Sequence, residues 1–399
     1  MINSLFPRYW PRYVAGPYRM LVQDFANWII FSGYTRTCAK GHIRRLHEVL
    51  TSKGVKICPG EPISSVVLTH CFAPWENNSY YCATHTLTKR FLVDHHLLRL
   101  RVKTKPFEAL TTMYRLHLVD QRGLSPSTVK QHLQTIEYFL KSACSRSHSI
   151  ARLSPIDIEH FVGRLSKHLK RQSLQHTIAH LRSFLRFCFN HGITKQRLEM
   201  IDTPRTYRGE LPPRALPWNL VRKLLKSIDR SSIDGCRDYA ILYLMAYYGL
   251  RPSEIAALTV DSINWDDRTL RIEHCKTRSL VTFPFDDRTA RIISSYLRCR
   301  SDATRREIFL RVRCPSGPIK AATIGDIYDN RARRSGLPIV GSSAYSLRHS
   351  FAMRLLNRGV GIKTIGDLLG HHSFESTCIY LRLHTRALRD VGLPLPHHG

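Results

Sequence analysis

The sequence predicts a multidomain, mostly helical protein: all-helical modules in its first half, then a mostly helical α+β region with a small β-hairpin. Three observations predict it. Apolar residues recur at helical spacing through the first two hundred residues, a proline- and arginine-rich stretch then breaks the pattern, and one alternating hairpin follows among further helical segments. A length of 399 residues suits two to four domains, and a hydrophobic fraction of 43% supplies their cores, which excludes disorder as the main state.

Residues 17–100 place Met20, Leu21, Phe25, Trp28 and Ile29 along one helical face. Residues 107–198 repeat the pattern with Leu133, Ile136, Phe139 and Leu140, then Leu181, Phe184, Leu185 and Phe189, in helices expected over 127–141 and 174–189. The two regions also resemble each other. Gly33 opens Gly-Tyr-Thr-Arg-Thr before a helix with Lys40, His42 and Leu46; 90 residues on, Gly123 opens Gly-Leu-Ser-Pro-Ser before one with Lys130, His132 and Ile136. A duplicated helical module is the expectation. Residues 203–218 hold four prolines and three arginines, which no single helix tolerates, so they are expected to form an extended basic linker. Beyond it, residues 269–274 and 281–285 alternate (Leu270, Ile272; Val281, Phe283, Phe285) around a turn holding Lys276 and Arg278.

A formal charge of +31 belongs beside a polyanion, nucleic acid first and a membrane surface second. The first twenty residues lack the apolar core of a signal peptide, and the longest apolar run, 239–250, is too short to cross a bilayer. Eleven cysteines without a CxxC pair suit reduced thiols in a cytoplasm, and neither secretion nor membrane insertion is expected. Neither zinc-ligand spacing nor a phosphate-binding Gly-rich loop is present, so no metal and no cofactor is expected.

Three stretches carry chemistry. Gly249-Leu250-Arg251-Pro252-Ser253-Glu254 follows a helix expected over 238–248; Gly249 suits its C-terminus and Pro252 the first position of the next, which pins Arg251 between them. Ser346-Leu347-Arg348-His349 starts a helix that continues through Phe351, Leu355 and Leu356. Leu368-Leu369-Gly370-His371-His372-Ser373 ends one helix and starts another, with Ser373 as the expected N-cap and Tyr380 two turns in.

GLRPSE, SLRHSFA, LLGHHS and a tyrosine nine residues after His371, in that order, resemble the tyrosine recombinases of the phage integrase family over residues 107–384. The resemblance implies SAM-like core-binding helical modules before a mostly helical α+β catalytic domain. Residues 1–104 would be an additional helical domain, 105–200 the core-binding domain, 201–218 the linker, and 219–399 the catalytic domain with its tail. It implies that Arg251 and Arg348 clamp the scissile phosphate, Glu254 supports Arg251, Lys276 protonates the leaving 5′ oxygen, and His371 assists. Tyr380 would be the nucleophile. One position departs: Tyr345 stands where the family usually has histidine, and a phenol titrating near ~10 is a poor base at neutral pH.

The residue types fit that chemistry. Guanidinium forks match the oxygens of a phosphodiester, and a tyrosine ester stores the bond's energy without ATP or metal. Lys130, His132, Arg182, Arg186 and Arg278 are expected to contact DNA backbone. The implied partners are double-stranded DNA, gripped in a C-shaped clamp, and a homotetramer on two DNA sites, with related recombinases as further partners. The implied task is integration, excision or transposition of a mobile element, to which the extra first module points. The tail from Leu381 onward is long enough to reach a neighbouring protomer. Alternative readings are a type IB topoisomerase-like relaxer and a non-catalytic architectural DNA-binding protein.

Overall fold

The structure is a computed structural model that describes residues 2–52, 61–99, 107–143, 150–205, 214–274, 279–300, 302–371 and 373–381. The chain divides into two compact units, one of Met1–Arg101 with Leu211–Gly399 and one of Val102–Glu210. No described helix is long and apolar enough to cross a membrane.

The first unit begins with α1 (Ile2–Leu5), α2 (Trp10–Val14), α3 (Arg19–Phe31) and α4 (Arg36–Thr51). A two-residue strand β1 (Ile63–Ser64) then leads into α5 (Ser65–Phe72) and α6 (Ser79–Asp94), and β2 (Leu98–Arg99) pairs parallel to β1. The inward face of α3 is Val22, Phe25, Ala26 and Ile29; Met20 lies outside it at 63% exposure, one position off the face expected from spacing. Thr35 caps α4 by accepting from the Cys38 N–H at 3.3 Å.

The second unit holds α7 (Glu108–Leu116), a π turn (His117–Gln121), α8 (Pro126–Ala143), α9 (Pro155–Ser166) and α10 (Arg171–Asn190). These four helices repeat the order of α3 to α6. Helices α4 and α8 start 90 residues apart, as do α5 and α9, and Ser64 and Ser154 stand immediately before the latter pair. Both stretches also bury a histidine, 90 residues apart, His42 against α6 and His132 against α7. His42 Nδ1 meets Thr84 Oγ1 at 2.8 Å, and His132 Nδ1 meets Tyr114 Oη at 3.0 Å.

That burial corrects an expectation: His132 is 7% exposed and is turned inward, away from solvent. It lies three residues after Val129 and four before Ile136, on the apolar face of α8. Burial, then the neighbouring His180 and the Arg122 charge, hold it neutral with a pKa lowered to about 4. The Arg182 guanidinium turns back to donate to the Ile201 carbonyl within its own unit. Lys130 and Arg186 are exposed.

From residue 214 the first unit resumes. The extended residues 214–217 are held by Ser350, whose hydroxyl accepts from the Leu216 N–H at 2.8 Å. Then come α11 (Trp218–Lys226), α12 (Ile233–Tyr248) and α13 (Pro252–Ala256), followed by β3 (Ile263–Asn264), β4 (Thr269–Glu273) and β5 (Leu280–Pro284). Helices α14 (Asp287–Cys299), α15 (Ala321–Arg334), α16 (Tyr345–Leu356), α17 (Ile362–Leu369) and α18 (Glu375–Cys378) complete it. The sheet is antiparallel in the order β3-β4-β5, with Leu270 opposite Phe283 and Ile272 opposite Val281. Its alternation turns Leu270, Ile272 and Phe283 into the core. The strand β3 adds an edge that sequence alternation did not predict, since two residues carry no period.

Helix α12 is the hub, buried from Arg237 to Ala246. Asp238 at its heart accepts from Arg237 Nε at 2.9 Å and from Arg331 Nε at 2.8 Å, so α15 is tied to α12 by a buried ion cluster. The helix before the tyrosine is shorter than expected. Phe374, not Ser373, precedes α18, Ser373 instead pairs with the Ser376 hydroxyl at 3.0 Å, and Tyr380 follows the helix.

Candidate active site

Four helix ends converge on one carboxylate. Helix α12 ends at Gly249 in the left-handed conformation (φ 65°), where a Cβ would lie 2.5 Å from Phe351 Cδ1. Arg251 is thereby delivered to the N-cap of α13, whose first residue is Pro252, as the sequence predicts. Glu254, one turn on, is 1% exposed; its Oε2 accepts the Arg251 backbone N–H at 2.7 Å and its Oε1 accepts from Arg251 Nη1 at 2.6 Å.

Arg348 reaches the same place from the first turn of α16. Its Nη1 donates to the Gly249 carbonyl at 2.6 Å and lies 3.9 Å from Glu254 Oε2, while Nη2 donates to the Leu369 carbonyl. Arg251 Nη2 donates to the next carbonyl, Gly370, at 3.2 Å. The two guanidiniums thus lock the end of α12 to the end of α17. Each has five N–H donors and commits two here to protein acceptors, which leaves donors for a phosphate.

A histidine that the motif reading missed completes the support. His274 is fully buried, and its Nδ1 donates to Glu254 Oε1 at 2.7 Å. Its signal was present: residues 270, 272 and 274 share the inward parity of β4. Gly370, left-handed at φ 58°, packs against this ring so closely that a Cβ would sit 2.3 Å from His274 Cδ2. His274 also closes the hairpin base, its N–H donating to the Ser279 carbonyl at 2.9 Å. Lys276 and Arg278, between His274 and Ser279 in sequence, lie outside the described residues, as do His372 and the tail from residue 382.

His371 follows Gly370, and its Nδ1 is 2.8 Å from the Thr377 hydroxyl. With Thr377 donating, the ring carries its proton on Nε2 as a donor. Tyr380 is 1% exposed; its ring lies nearly parallel to that of His371, at 12° with centroids 6.4 Å apart. Its hydroxyl is 3.0 Å from Nδ1 of His349, a second residue that the motif reading passed over. Tyr345 stands on the first turn of α16, 48% exposed.

The electrostatics follow from burial and two fixed cations. Burial alone would raise the Glu254 carboxyl; hydrogen bonds from His274 and Arg251, with the Arg251 charge, overcome it and lower the pKa to about 2. Burial and then Arg251 lower Arg348 to about 10, so it stays charged at neutral pH. His371 is lowered to about 4 by burial, then by Arg348 and Arg251, and is neutral in the free protein. Burial raises the Tyr380 phenol, opposed by Arg348 and Arg251. The pocket concentrates positive charge beside a phenol and places the His349 imidazole at its oxygen, an arrangement suited to attack on an anionic ester. Arg251, Glu254, Arg348, His371 and Tyr380 are therefore brought together, Tyr345 stands at the rim, and Lys130, Arg182 and Arg186 belong to the other unit.

Residues 215–386 match the profile of the phage integrase family, and residues 112–192 that of the phage integrase N-terminal SAM-like domain. Two proteins of Sinorhizobium fredii named integrase/recombinase are similar. The one called y4rA is 27% identical over 398 residues, 96% of this chain and 95% of the relative. The other, y4rF, is 30% identical over 300 residues, 73% and 70% respectively. Among solved structures, the Tn1549 transposon integrase in complex with circular-intermediate DNA is similar in fold. Its TM-score is 0.54 at 16% identity, over 70% of this chain and 99% of that one.

Proposed function

Since the chain belongs to the phage integrase family and is a tyrosine site-specific recombinase, we propose that it cuts and rejoins double-stranded DNA through a covalent 3′-phosphotyrosyl link at Tyr380. The observation that carries this reading is the convergence of Arg251 and Arg348 on the buried Glu254–His274 pair, with His371 and Tyr380 side by side within the field of both arginines. The remaining guanidinium donors and His371 Nε2 hold the non-bridging oxygens of one phosphate and stabilise the charge that grows there during transfer. The Tyr380 oxygen attacks phosphorus, the bond to the 5′ oxygen breaks, and Lys276 protonates that oxygen. Reversal with a different 5′ end exchanges strands, and the phosphoester conserved in the intermediate supplies the driving force.

The finer reading is that four protomers exchange strands between two sites to move a mobile element. In its support, the relatives named integrase/recombinase include one that spans nearly the whole chain, first hundred residues included. Lys130 and Arg186, exposed on α8 and α10, would grip backbone. The test is strand exchange between two duplexes carrying the sequences that flank the gene. Wild type should yield recombinant joints and a junction intermediate, and Tyr380→Phe should yield neither. Relaxation of supercoiled DNA without joints would replace strand exchange with a topoisomerase-like activity.

A further inference from the structure

We infer that His349 takes the proton of Tyr380 as the tyrosine attacks, filling the role that the departure at Tyr345 leaves vacant. The inference rests on Tyr380 being the nucleophile. The geometry singles out one group. Nδ1 of His349 is 3.0 Å from the Tyr380 hydroxyl, within direct proton-transfer reach, and the rings are 5.7 Å apart at 57°. The other candidates are otherwise placed. Nδ1 of His371 is engaged by Thr377 at 2.8 Å, and the ring lies parallel to that of Tyr380. Tyr345 is half exposed at the start of the helix, and both arginines are cations with nothing to accept.

His349 is prepared for the role by its surroundings. It is half-buried one residue after Arg348, and the charged or titratable groups around it are the Arg348 guanidinium on its own helix, the neutral His371, and the Tyr380 phenol itself. Burial and the Arg348 charge hold its pKa below the ordinary histidine value, so it is neutral and able to accept at physiological pH. The step balances. The Tyr380 O–H bond breaks and its proton passes to Nδ1, the phenolic oxygen bonds to phosphorus, and the electron pair of the broken ester bond leaves on the 5′ oxygen. In religation the imidazolium returns the proton to the departing phenol. The two residues are 31 positions apart, so the pair exists only once α16 and the segment after α18 have packed together.

The test is the single-turnover rate of covalent adduct formation on a nicked duplex carrying the cleavage site, from pH 6 to 9, for wild type, Tyr380→Phe, His349→Ala and His349→Asn. Both His349 variants should bind DNA as wild type does and form adduct roughly a hundredfold more slowly at pH 7, in the range of a lost general base. The deficit should shrink about tenfold per pH unit as hydroxide substitutes, and added imidazole should restore His349→Ala. His349→Asn, with an amide near the Nδ1 position, should keep the melting temperature while losing the rate, which separates chemistry from folding. Rates within threefold of wild type at pH 7 would overturn the inference, as would a deficit that neither pH nor imidazole relieves. An adduct that persists in Tyr380→Phe would instead overturn the assignment of the nucleophile.

Discussion

Replacing Glu254 with glutamine removes one charge at the point where both arginines and His274 meet, with almost no change in shape. The carboxylate accepts at 2.6 Å from Arg251 Nη1, at 2.7 Å from the Arg251 N–H and at 2.7 Å from His274 Nδ1. Glutamine offers one oxygen and turns its NH2 towards a donor. A carboxyl titrating at about 2 instead of its ordinary 4.5 is favoured as the anion by about 3 kcal/mol in the folded state. Breaking a buried pair on one side costs about 3–5 kcal/mol, which agrees. The folded value is depressed, so this stability is fully present above 4.5 and lost as pH falls towards 2. The gap between wild type and variant is then constant across pH 5 to 8. Native-state hydrogen exchange of peptides spanning 250–258 and 269–274 measures it. Glu254→Gln should exchange about a hundredfold faster at pH 7, the factor that ~3 kcal/mol implies. A change below about fivefold would refute the reasoning, because the carboxylate would not be holding those elements.

Three further outcomes follow from the same structure. Gly370→Ala forces a Cβ to 2.3 Å from His274 in a left-handed backbone, so adduct formation should fall at least about tenfold as His371 shifts; an unchanged rate would mean that the α17 end tolerates movement. Asp238→Asn uncouples Arg237 and Arg331 from a residue only 5% exposed and should destabilise the fold by about 3–5 kcal/mol, read as a lowered denaturant midpoint. Lys130→Ala and Arg186→Ala should each reduce the slope of log affinity for DNA against log salt by about 0.9, whereas His132→Gln should lower stability and leave that slope unchanged.

Much of the site is legible in short stretches because backbone punctuation and chemistry coincide there. Gly249 and Pro252 announce the junction that holds Arg251, and Gly370 the turn that holds His371. What sequence reasoning missed depends on contacts between distant segments or on a face misread. His349 meets Tyr380 only through tertiary packing. His274 was visible by strand parity, yet its partner Glu254 lies 20 residues earlier. His132 is expected from the sequence at the DNA backbone, although its spacing from Val129 and Ile136 puts it inside. Gly33 and Gly123 heading similar helices are legible in the sequence, whereas the burial of His42 and His132, 90 residues apart and bonded from different helices, required the packed structure.

The most direct test identifies the residue that joins the DNA. Wild type is incubated with a nicked duplex carrying its cleavage site, the adduct is digested, and the peptide bearing the nucleotide is sequenced by mass spectrometry. The account predicts a 3′-phosphotyrosyl nucleotide on Tyr380, absent from Tyr380→Phe and formed without added metal. A nucleotide on any other residue, or no adduct from wild type, would contradict it.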